Sequence, residues 1–201
     1  MDERVRDQIA RAVTCLRAGG VVLLPTDTVY GLAVHPEHDE AVTRLFAMKG
    51  RPRSRNLPVM ISDAGQVAAL GGVLSPAARR LLDSKYVPGP LTVAVGTEPG
   101  RLVPWLRGRP EFAVRMPDDE RLLAIIAETG PLLVTSANKH AQATRESAPE
   151  ILASLEFEPD LVIDDGKRDT VPSTLVNCGV VPPVVERLGA VPAEEIEAIL
   201  S

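Results

Sequence analysis

Aromatic residues are scarce in this sequence: one Trp, two Tyr and three Phe make up 3% of its 201 residues. Hydrophobic residues still account for 45%, which is enough for a substantial core, and that core must be aliphatic. Proteins that bind single-stranded nucleic acids use aromatic stacking platforms and a broad basic groove. Here the net charge is −5 and the isoelectric point is near 5.3. The composition therefore argues against an RNA-binding module.

Cysteine and histidine are too few and too scattered for a dedicated metal site. The two cysteines, Cys15 and Cys178, are far apart and lack zinc-ligand spacing. Such sparse cysteine usage suits a reducing cytosol. The three histidines, His35, His38 and His140, form no H-E-x-x-H pattern. We therefore expect no metal held by a protein cage.

Long apolar runs are also missing. The first residues, M-D-E-R-V-R-D, are charged and lack the apolar region of a signal peptide. No apolar run approaches the roughly 20 residues that a helix needs to span a bilayer. We expect a cytoplasmic protein without membrane contact.

Helix and strand patterns alternate along the chain, often with short connections. Apolar spacing and capping residues predict helices over 3–18, 39–48, 75–84, 118–128, 147–155 and 192–200. Short apolar runs predict strands over 21–24, 32–34, 57–61, 91–95, 112–115, 132–135, 161–163, 174–177 and 184–187. Gly71-Gly72 and Thr97 to Gly100 are interpreted as loops. This order predicts one layered α/β domain over residues 1–201, built around a central sheet.

Four cations follow the second predicted helix. Lys49, Arg51, Arg53 and Arg55 alternate with other residues, and Pro52 disfavours helical geometry at Arg51. An extended backbone would send these side chains to one face, where we expect Lys49 and Arg51 to be exposed to a cavity. A focused cationic strip on an acidic chain suits a pocket for one compact polyanion, such as a nucleoside triphosphate. The alternative is a solvated loop with spare charges.

Polar side chains lie at the ends of several predicted strands, where ligands gather in open α/β sheets. Thr28 lies in P-T-D-T-V-Y-G, Arg115 in A-V-R-M-P, Ser136 and Asn138 in T-S-A-N, and Ser173 in P-S-T-L-V. The arginine could clamp a carboxylate, and the hydroxyl and amide groups could bind a ligand. Each also has a structural alternative as a surface ion pair, a turn or a cap.

Taken in order, the motifs P-T-D-T-V-Y-G, K-G-R-P, P-G-P-L-T, A-V-R-M-P, S-A-N, P-S-T-L-V and E-R-L-G resemble the YrdC-like family of threonylcarbamoyl-AMP synthases. The resemblance covers residues 8–190 and implies a twisted mixed β-sheet flanked by helices, with a large concave cavity, in the short single-domain form. It implies that L-threonine, bicarbonate and ATP are condensed to threonylcarbamoyl-AMP and pyrophosphate. A separate transferase complex would then modify an adenosine beside the anticodon of tRNA, so contact with tRNA itself would be weak or indirect.

The resemblance also implies roles for individual residues. Lys49 and Arg51 would be the catalytic groups. The ATP-binding positions would be Lys49, Arg51, Arg55, Ser136, Asn138, Thr144 and Arg187. The L-threonine-binding positions would be Thr28, Arg115 and Ser173, with Arg115 as the clamp of the amino-acid carboxylate. Mg²⁺ would accompany ATP and neutralise part of the phosphate charge.

The sequence departs from the family pattern at several positions. His140-Ala141 stand where the family usually continues with x-S-G, close to the expected nucleotide. Asn56 replaces a proline, Val87 replaces a tryptophan, and Met60 stands where some members carry a threonine-contacting histidine. Two alternatives therefore remain: a paralogue that makes a different carbamoyl-adenylate, and an RNA-binding module of the same fold.

Overall fold

A computed structural model describes residues 2–53, 55–139 and 142–201 of the chain. Its helices in these residues are α1 (Glu3–Arg17), α2 (Asp39–Met48), α3 (Gln66–Ala69), α4 (Pro76–Leu82), α5 (Glu120–Thr129), α6 (Ala148–Ser154) and α7 (Ala193–Leu200). Its strands are β1 (Val22–Leu24), β2 (Gly31–Val34), β3 (Val59–Met60), β4 (Gly72–Val73), β5 (Leu91–Thr97), β6 (Glu111–Arg115), β7 (Leu132–Ser136), β8 (Leu161–Val162), β9 (Thr174–Asn177) and β10 (Val184–Arg187). A short 3₁₀ helix covers Pro104–Leu106.

The strands of the described residues form one ten-stranded mixed sheet. Their order is β10-β9-β5-β6-β3-β7-β2-β1-β8, and β4 pairs with β5 outside this path. Three of the pairs are parallel, namely β1 with β8, β3 with β6 and β5 with β9, and the others are antiparallel. The prediction of a mixed α/β sheet flanked by helices is confirmed.

The two faces of the sheet pack into different aliphatic clusters. One cluster joins residues of β3, β5, β6 and β9 to α2, α4, α6 and α7. On the other face, α1 and α5 pack against residues of β1, β2, β3 and β7. Among the described residues, the second cluster contains nothing from β5, β6 or β9. That part of the second face is therefore free to form the floor of a cavity.

Strand alternation divides β5 between the core and this cavity. Val93 and Val95 are fully buried in the first cluster, whereas Thr92 and Ala94 line the cavity. The same alternation sends Val114 of β6 into the core and its neighbour Arg115 into the cavity. One strand thus serves packing and the site at once, because successive side chains point to opposite faces.

The six predicted helices are confirmed apart from residues at their ends. Side-chain caps mark where two of these helices begin, which is why their starts can be predicted from the sequence. Ser75 Oγ accepts from the Ala78 amide at 3.2 Å, and Asp119 Oδ1 accepts from the Leu122 amide at 2.8 Å. In the described part of the chain, no helix combines the length and the apolar content needed to cross a bilayer.

The loop predictions were wrong at two positions. Gly72 lies in β4 and Thr97 lies in β5. The strand predicted over 57–61 is confirmed apart from its ends: β3 covers Val59–Met60, and Pro58 and Ile61 bond to the backbone of the neighbouring strands. The strand β4 follows the unpredicted α3, and both are too short to show a period. A glycine is required at 72 because a Cβ there would lie 2.7 Å from Val67 Cγ1 and 2.9 Å from Phe112 Cζ.

Candidate active site

A cavity of about 380 Å³ lies over β5, β6 and β9, bounded by the loop after α2 and by β10. Its lining includes four arginines: Arg51, Arg55, Arg115 and Arg187. Of the residues predicted for the site, Ser136 and Ser173 also line it. Four predicted residues do not line it, namely Thr28, Lys49, Asn138 and Thr144. The volume is within the range of small-molecule sites, roughly 300–1,000 Å³.

Lys49 is buried, so the prediction that it is exposed to the cavity was wrong. Only 2% of the residue is accessible, and Nζ donates to the carbonyls of Ser136 and Asn138. The alternation argument failed because Lys49 is still the helical C-cap of α2, with φ −92° and ψ −9°. Gly50 then takes φ +57°, which breaks any extended run from Lys49 to Arg51. Burial, followed by the charge of Arg51, lowers the pKa of Lys49 to about 7.

The other three cations of the strip divide between the cavity and the surface. Arg51 lines the cavity and donates through Nη2 to the Asn56 carbonyl at 2.9 Å. Burial, followed by the charge of Arg55, lowers the pKa of Arg51. Arg53 is exposed and turns back to α2, where Nη2 donates to Thr43 Oγ1 at 2.6 Å. Two of the four cations, Arg51 and Arg55, therefore face the cavity.

The segment after β7 is closed by its own side chains. Ser136 Oγ donates to Asn138 Oδ1, and Asn138 Nδ2 donates to the carbonyls of Lys139 at 2.9 Å and Gln142 at 2.6 Å. Ser136 contributes to the cavity wall, whereas the Asn138 amide is used inside the loop. The departure predicted at His140-Ala141 lies outside the described residues.

Arg115 lies at the end of β6 with its guanidinium already bound by protein groups. Nη2 donates to both carboxylate oxygens of Asp27, Nη1 donates to Thr28 Oγ1 at 3.0 Å, and Nε donates to the Gly89 carbonyl at 3.0 Å. Burial lowers the pKa of Arg115, and the Asp27 carboxylate opposes this shift. Thr28 therefore reaches the site through Arg115. The sequence showed a carboxylate at Asp27 but gave no sign of its partner, 88 residues away.

Ser173 connects two other cavity residues. Its Oγ lies 2.7 Å from Thr92 Oγ1, and Arg187 Nη2 donates to the Ser173 carbonyl at 2.8 Å and to Ser173 Oγ at 3.1 Å. Burial, followed by the positive charges of Arg115 and Arg51, lowers the pKa of Arg187. Arg187 is thus close enough to Arg115 and Arg51 for their charges to disfavour its own, which favours an anion beside it.

Two carboxylates that the sequence analysis missed line the same cavity. Asn177 Nδ2 donates to Glu111 at 2.9 and 3.0 Å and to Glu186 Oε1 at 2.8 Å. Glu186 and Arg187 are neighbours, yet both line the cavity because the pairing of β10 with β9 shifts between Val185 and Arg187. Such a bulge changes the direction in which side chains point, and it could not be predicted from the sequence.

Thr144 does not line the cavity. Its hydroxyl donates to the Thr170 carbonyl at 2.7 Å. In residues 2–53, 55–139 and 142–201, no three His, Cys, Asp or Glu side chains are grouped as a metal site. Glu111 and Glu186 line the cavity, and Mg²⁺ is commonly bound by one or two carboxylates together with substrate phosphate oxygens and water.

Comparison with known proteins gives consistent results for sequence and fold. The Sua5/YciO/YrdC family model, described as "Telomere recombination", matches residues 14–189. The threonylcarbamoyl-AMP synthase of Bacillus subtilis is 35% identical over 196 residues, which cover 96% of this chain and 56% of that protein. The threonylcarbamoyl-AMP synthase of Pyrococcus abyssi is 33% identical over 203 residues, which cover 98% of this chain and 59% of that protein. The chain thus spans a little over half the length of these two relatives.

Two solved structures have the same fold. The crystal structure of P. abyssi Sua5 complexed with L-threonine matches with a TM-score of 0.86 at 32% identity, covering 96% of this chain and 57% of that chain. The crystal structure of E. coli YciO matches with a TM-score of 0.84 at 26% identity, covering 95% of this chain and 93% of that chain.

Proposed function

Because the chain belongs to the Sua5/YciO/YrdC family, we propose that it is an L-threonylcarbamoyladenylate synthase that uses L-threonine, bicarbonate and Mg²⁺-bound ATP. The observation that carries the proposal is the convergence of Arg51, Arg115 and Arg187 on one cavity of ligand size. An ATP molecule and an amino acid both present anionic groups to such a cavity. The P. abyssi relative, crystallised with L-threonine, supports this choice of amino acid.

The reaction proceeds in two steps. The threonine amine first forms a carbamate, either with bicarbonate, which releases water, or with the carbon dioxide derived from it, which releases a proton from the amine. A carbamate oxygen then attacks the α-phosphorus of ATP, the bond to the β-phosphate oxygen breaks, and pyrophosphate leaves. Positioning and charge stabilisation dominate such phosphoryl chemistry, because little covalent work falls to the protein.

Three arginines of the cavity lining bind the phosphates in this proposal. Arg51, Arg55 and Arg187 line the cavity and would bind phosphate oxygens, with Ser136 at the adjoining wall. Arginine suits this task because its planar fork binds phosphate at two points. Mg²⁺ would arrive with ATP as part of the substrate.

The amino acid would bind beside these arginines, where Ser173 contacts Arg187 and where Arg115 is only 4% exposed. Arg115 and Ser173 line the cavity, and Thr28 bonds to Arg115. A guanidinium has five N–H donors, and protein acceptors already occupy positions on all three nitrogens. The threonine carboxylate would therefore use a remaining Arg115 N–H or displace Asp27. The product would pass to a separate transferase that modifies tRNA, and the chain's negative net charge supports only weak or indirect contact with tRNA.

A second candidate keeps the chemistry but changes the amino acid. Met60 lines the cavity where some proteins of the resembled family carry a histidine that contacts threonine. A thioether cannot replace the hydrogen bonds of an imidazole. The pocket would then accept a more apolar amino acid and form a different carbamoyl-adenylate.

One assay separates these candidates. Purified protein is incubated with Mg²⁺ and ATP, and pyrophosphate release is measured with L-threonine and bicarbonate omitted in turn. We expect release only when both are present, with the AMP adduct identified by mass. Release without threonine contradicts the assignment, and faster release with another amino acid supports the second candidate.

A further inference from the structure

We propose that Lys49 is a positioning residue, which shapes the loop after β7 through hydrogen bonds to the carbonyls of Ser136 and Asn138 and makes no contact with phosphate. The part of this inference that concerns nucleotide affinity rests on the proposed function. The part that concerns the loop stands on the geometry of the unliganded chain.

The first support is where the amino group ends. Lys49 is only 2% exposed and does not line the cavity. Arg51, two positions later in the sequence, does line it. Nζ donates to two carbonyls that flank Ala137. A phosphate at the cavity wall would meet Arg51 and Ser136 before it met Lys49.

The second support is the absence of a competing anion. Among the described residues, no carboxylate lies within 4.0 Å of Lys49 Nζ. The amino group is therefore held by carbonyl dipoles alone, and those dipoles belong to one loop. A buried carbonyl that loses its donor costs free energy, so the lysine and the loop conformation depend on each other.

The third support is the loop's own bonding. Ser136 Oγ and Asn138 Oδ1 share a hydrogen bond, and the Ala137 amide donates to the Tyr30 carbonyl at 2.8 Å. Lys49 therefore donates to the carbonyls on either side of Ala137, while the Ala137 amide donates to Tyr30, the residue just before β2. The loop presents Ser136 to the cavity. Loss of the lysine would displace that hydroxyl without removing any charge from the cavity wall.

The loop is tested first, without any ligand. Hydrogen exchange at Ala137 is measured by NMR or by mass spectrometry of the peptide that contains it, in wild type, Lys49→Met and Arg51→Met, well below their melting temperatures. We expect faster exchange in Lys49→Met and wild-type exchange in Arg51→Met, which removes a cavity arginine. Unchanged exchange in Lys49→Met overturns the proposal. If that variant does not fold, Lys49→Gln is measured in its place. Its amide nitrogen lies one bond nearer the backbone than Nζ and should hold the two carbonyls less well, so we expect exchange faster than wild type, and unchanged exchange overturns the proposal.

Nucleotide affinity then separates positioning from phosphate contact. Dissociation constants for ATP and AMP are measured by calorimetry for the same three proteins. A positioning role predicts that Lys49→Met weakens both ligands by the same factor, on the order of tenfold, the effect of about one hydrogen bond. Arg51→Met should weaken ATP far more than AMP. A Lys49→Met loss confined to ATP overturns the proposal.

A conservative variant and a double mutant complete the test. Lys49→Arg keeps donors in the buried position and should recover part of the exchange protection and of the AMP affinity. On an Asn138→Ala background, Lys49→Met should reduce AMP affinity by a smaller factor than it does in the wild-type background, because the loop is already loosened. Full additivity contradicts a role through the loop. If the loop responds as expected but no pyrophosphate is formed by wild type, the proposed function fails while this inference stands.

Discussion

Arg115 and Asp27 form a buried ion pair in which Arg115 Nη2 lies 2.7 Å from Asp27 Oδ1 and 2.8 Å from Oδ2. The two side chains are only 5% and 10% exposed. The residue proposed to hold the threonine carboxylate is thus already neutralised by a carboxylate of the same chain. A substrate clamp and a structural pair share one guanidinium, and this double use sets the first two predictions.

Arg115→Ala should destabilise the fold as well as the site. Removing one partner of a buried pair leaves an uncompensated charge on Asp27, which typically costs about 3–5 kcal/mol. Urea unfolding of wild type and variant measures the difference. The double variant Arg115→Ala/Asp27→Asn is the control, because it removes the stranded charge and should recover part of the loss. Equal stability of Arg115→Ala and wild type would show that the pair is not desolvated.

Arg115→Lys should weaken threonine binding while sparing ATP. Lysine keeps the positive charge beside Asp27 but loses the planar fork that can serve two carboxylates. A charge-assisted hydrogen bond is worth about 1.5–3 kcal/mol, so threonine affinity should fall roughly ten- to a hundredfold. Calorimetry with each substrate checks this split. Equal losses for both ligands would indicate a general disturbance of the cavity.

Arg51→Ala should fold normally and be nearly inactive, whereas Arg53→Ala should keep close to wild-type activity. Arg51 lines the cavity, and Arg53 bonds to Thr43 on α2. Losing one preorganised donor to a developing oxyanion costs about a hundred- to a thousandfold in rate. Rates and melting curves of both variants give the answer. Comparable damage in Arg53→Ala would mean that the strip acts as a diffuse electrostatic surface.

Lys49 predicts a pH dependence of stability. Its pKa is about 7 in the folded protein and 10.5 as the ordinary value, so the unfolded chain binds the proton more tightly between these values. Stability from this group therefore rises with pH through the window from about 7 to 10.5 and is lowest below it. The unfolding free energy of wild type should therefore rise relative to that of Lys49→Met as the pH increases. Parallel pH profiles of the two proteins would contradict the depressed pKa.

Local signals in the sequence were enough for most of the fold. Ser75 caps the helix that it was expected to open, and the helix predicted over 118–128 is capped by Asp119, one residue later than expected. The alternation of β5 can be read from its sequence, L-T-V-A-V. The predictions failed where one backbone angle or a distant partner decides the structure. Gly50 at φ +57° removes Lys49 from the cationic face, and a local pattern gives no measure of that angle.

The site was harder to predict because its contacts join distant segments. Asp27 meets Arg115 across 88 residues, and Asn177 meets Glu111 across 66. Neither pairing has a spacing rule, since sheet order rather than sequence distance brings the strands together. The resemblance to a family supplied positions such as Arg187, but not the hydrogen bonds that hold them.

The division of β5 and its neighbours between two environments also bears on how this cavity can be altered. Thr92, Ala94, Ala113 and Leu175 form part of the cavity floor, and both strand neighbours of each of the first three belong to the aliphatic core. A library randomised at these four positions would change the shape and polarity of the pocket while leaving core side chains such as Val93 in place. Substrate preference in this fold is therefore open to directed evolution at alternate positions of the sheet.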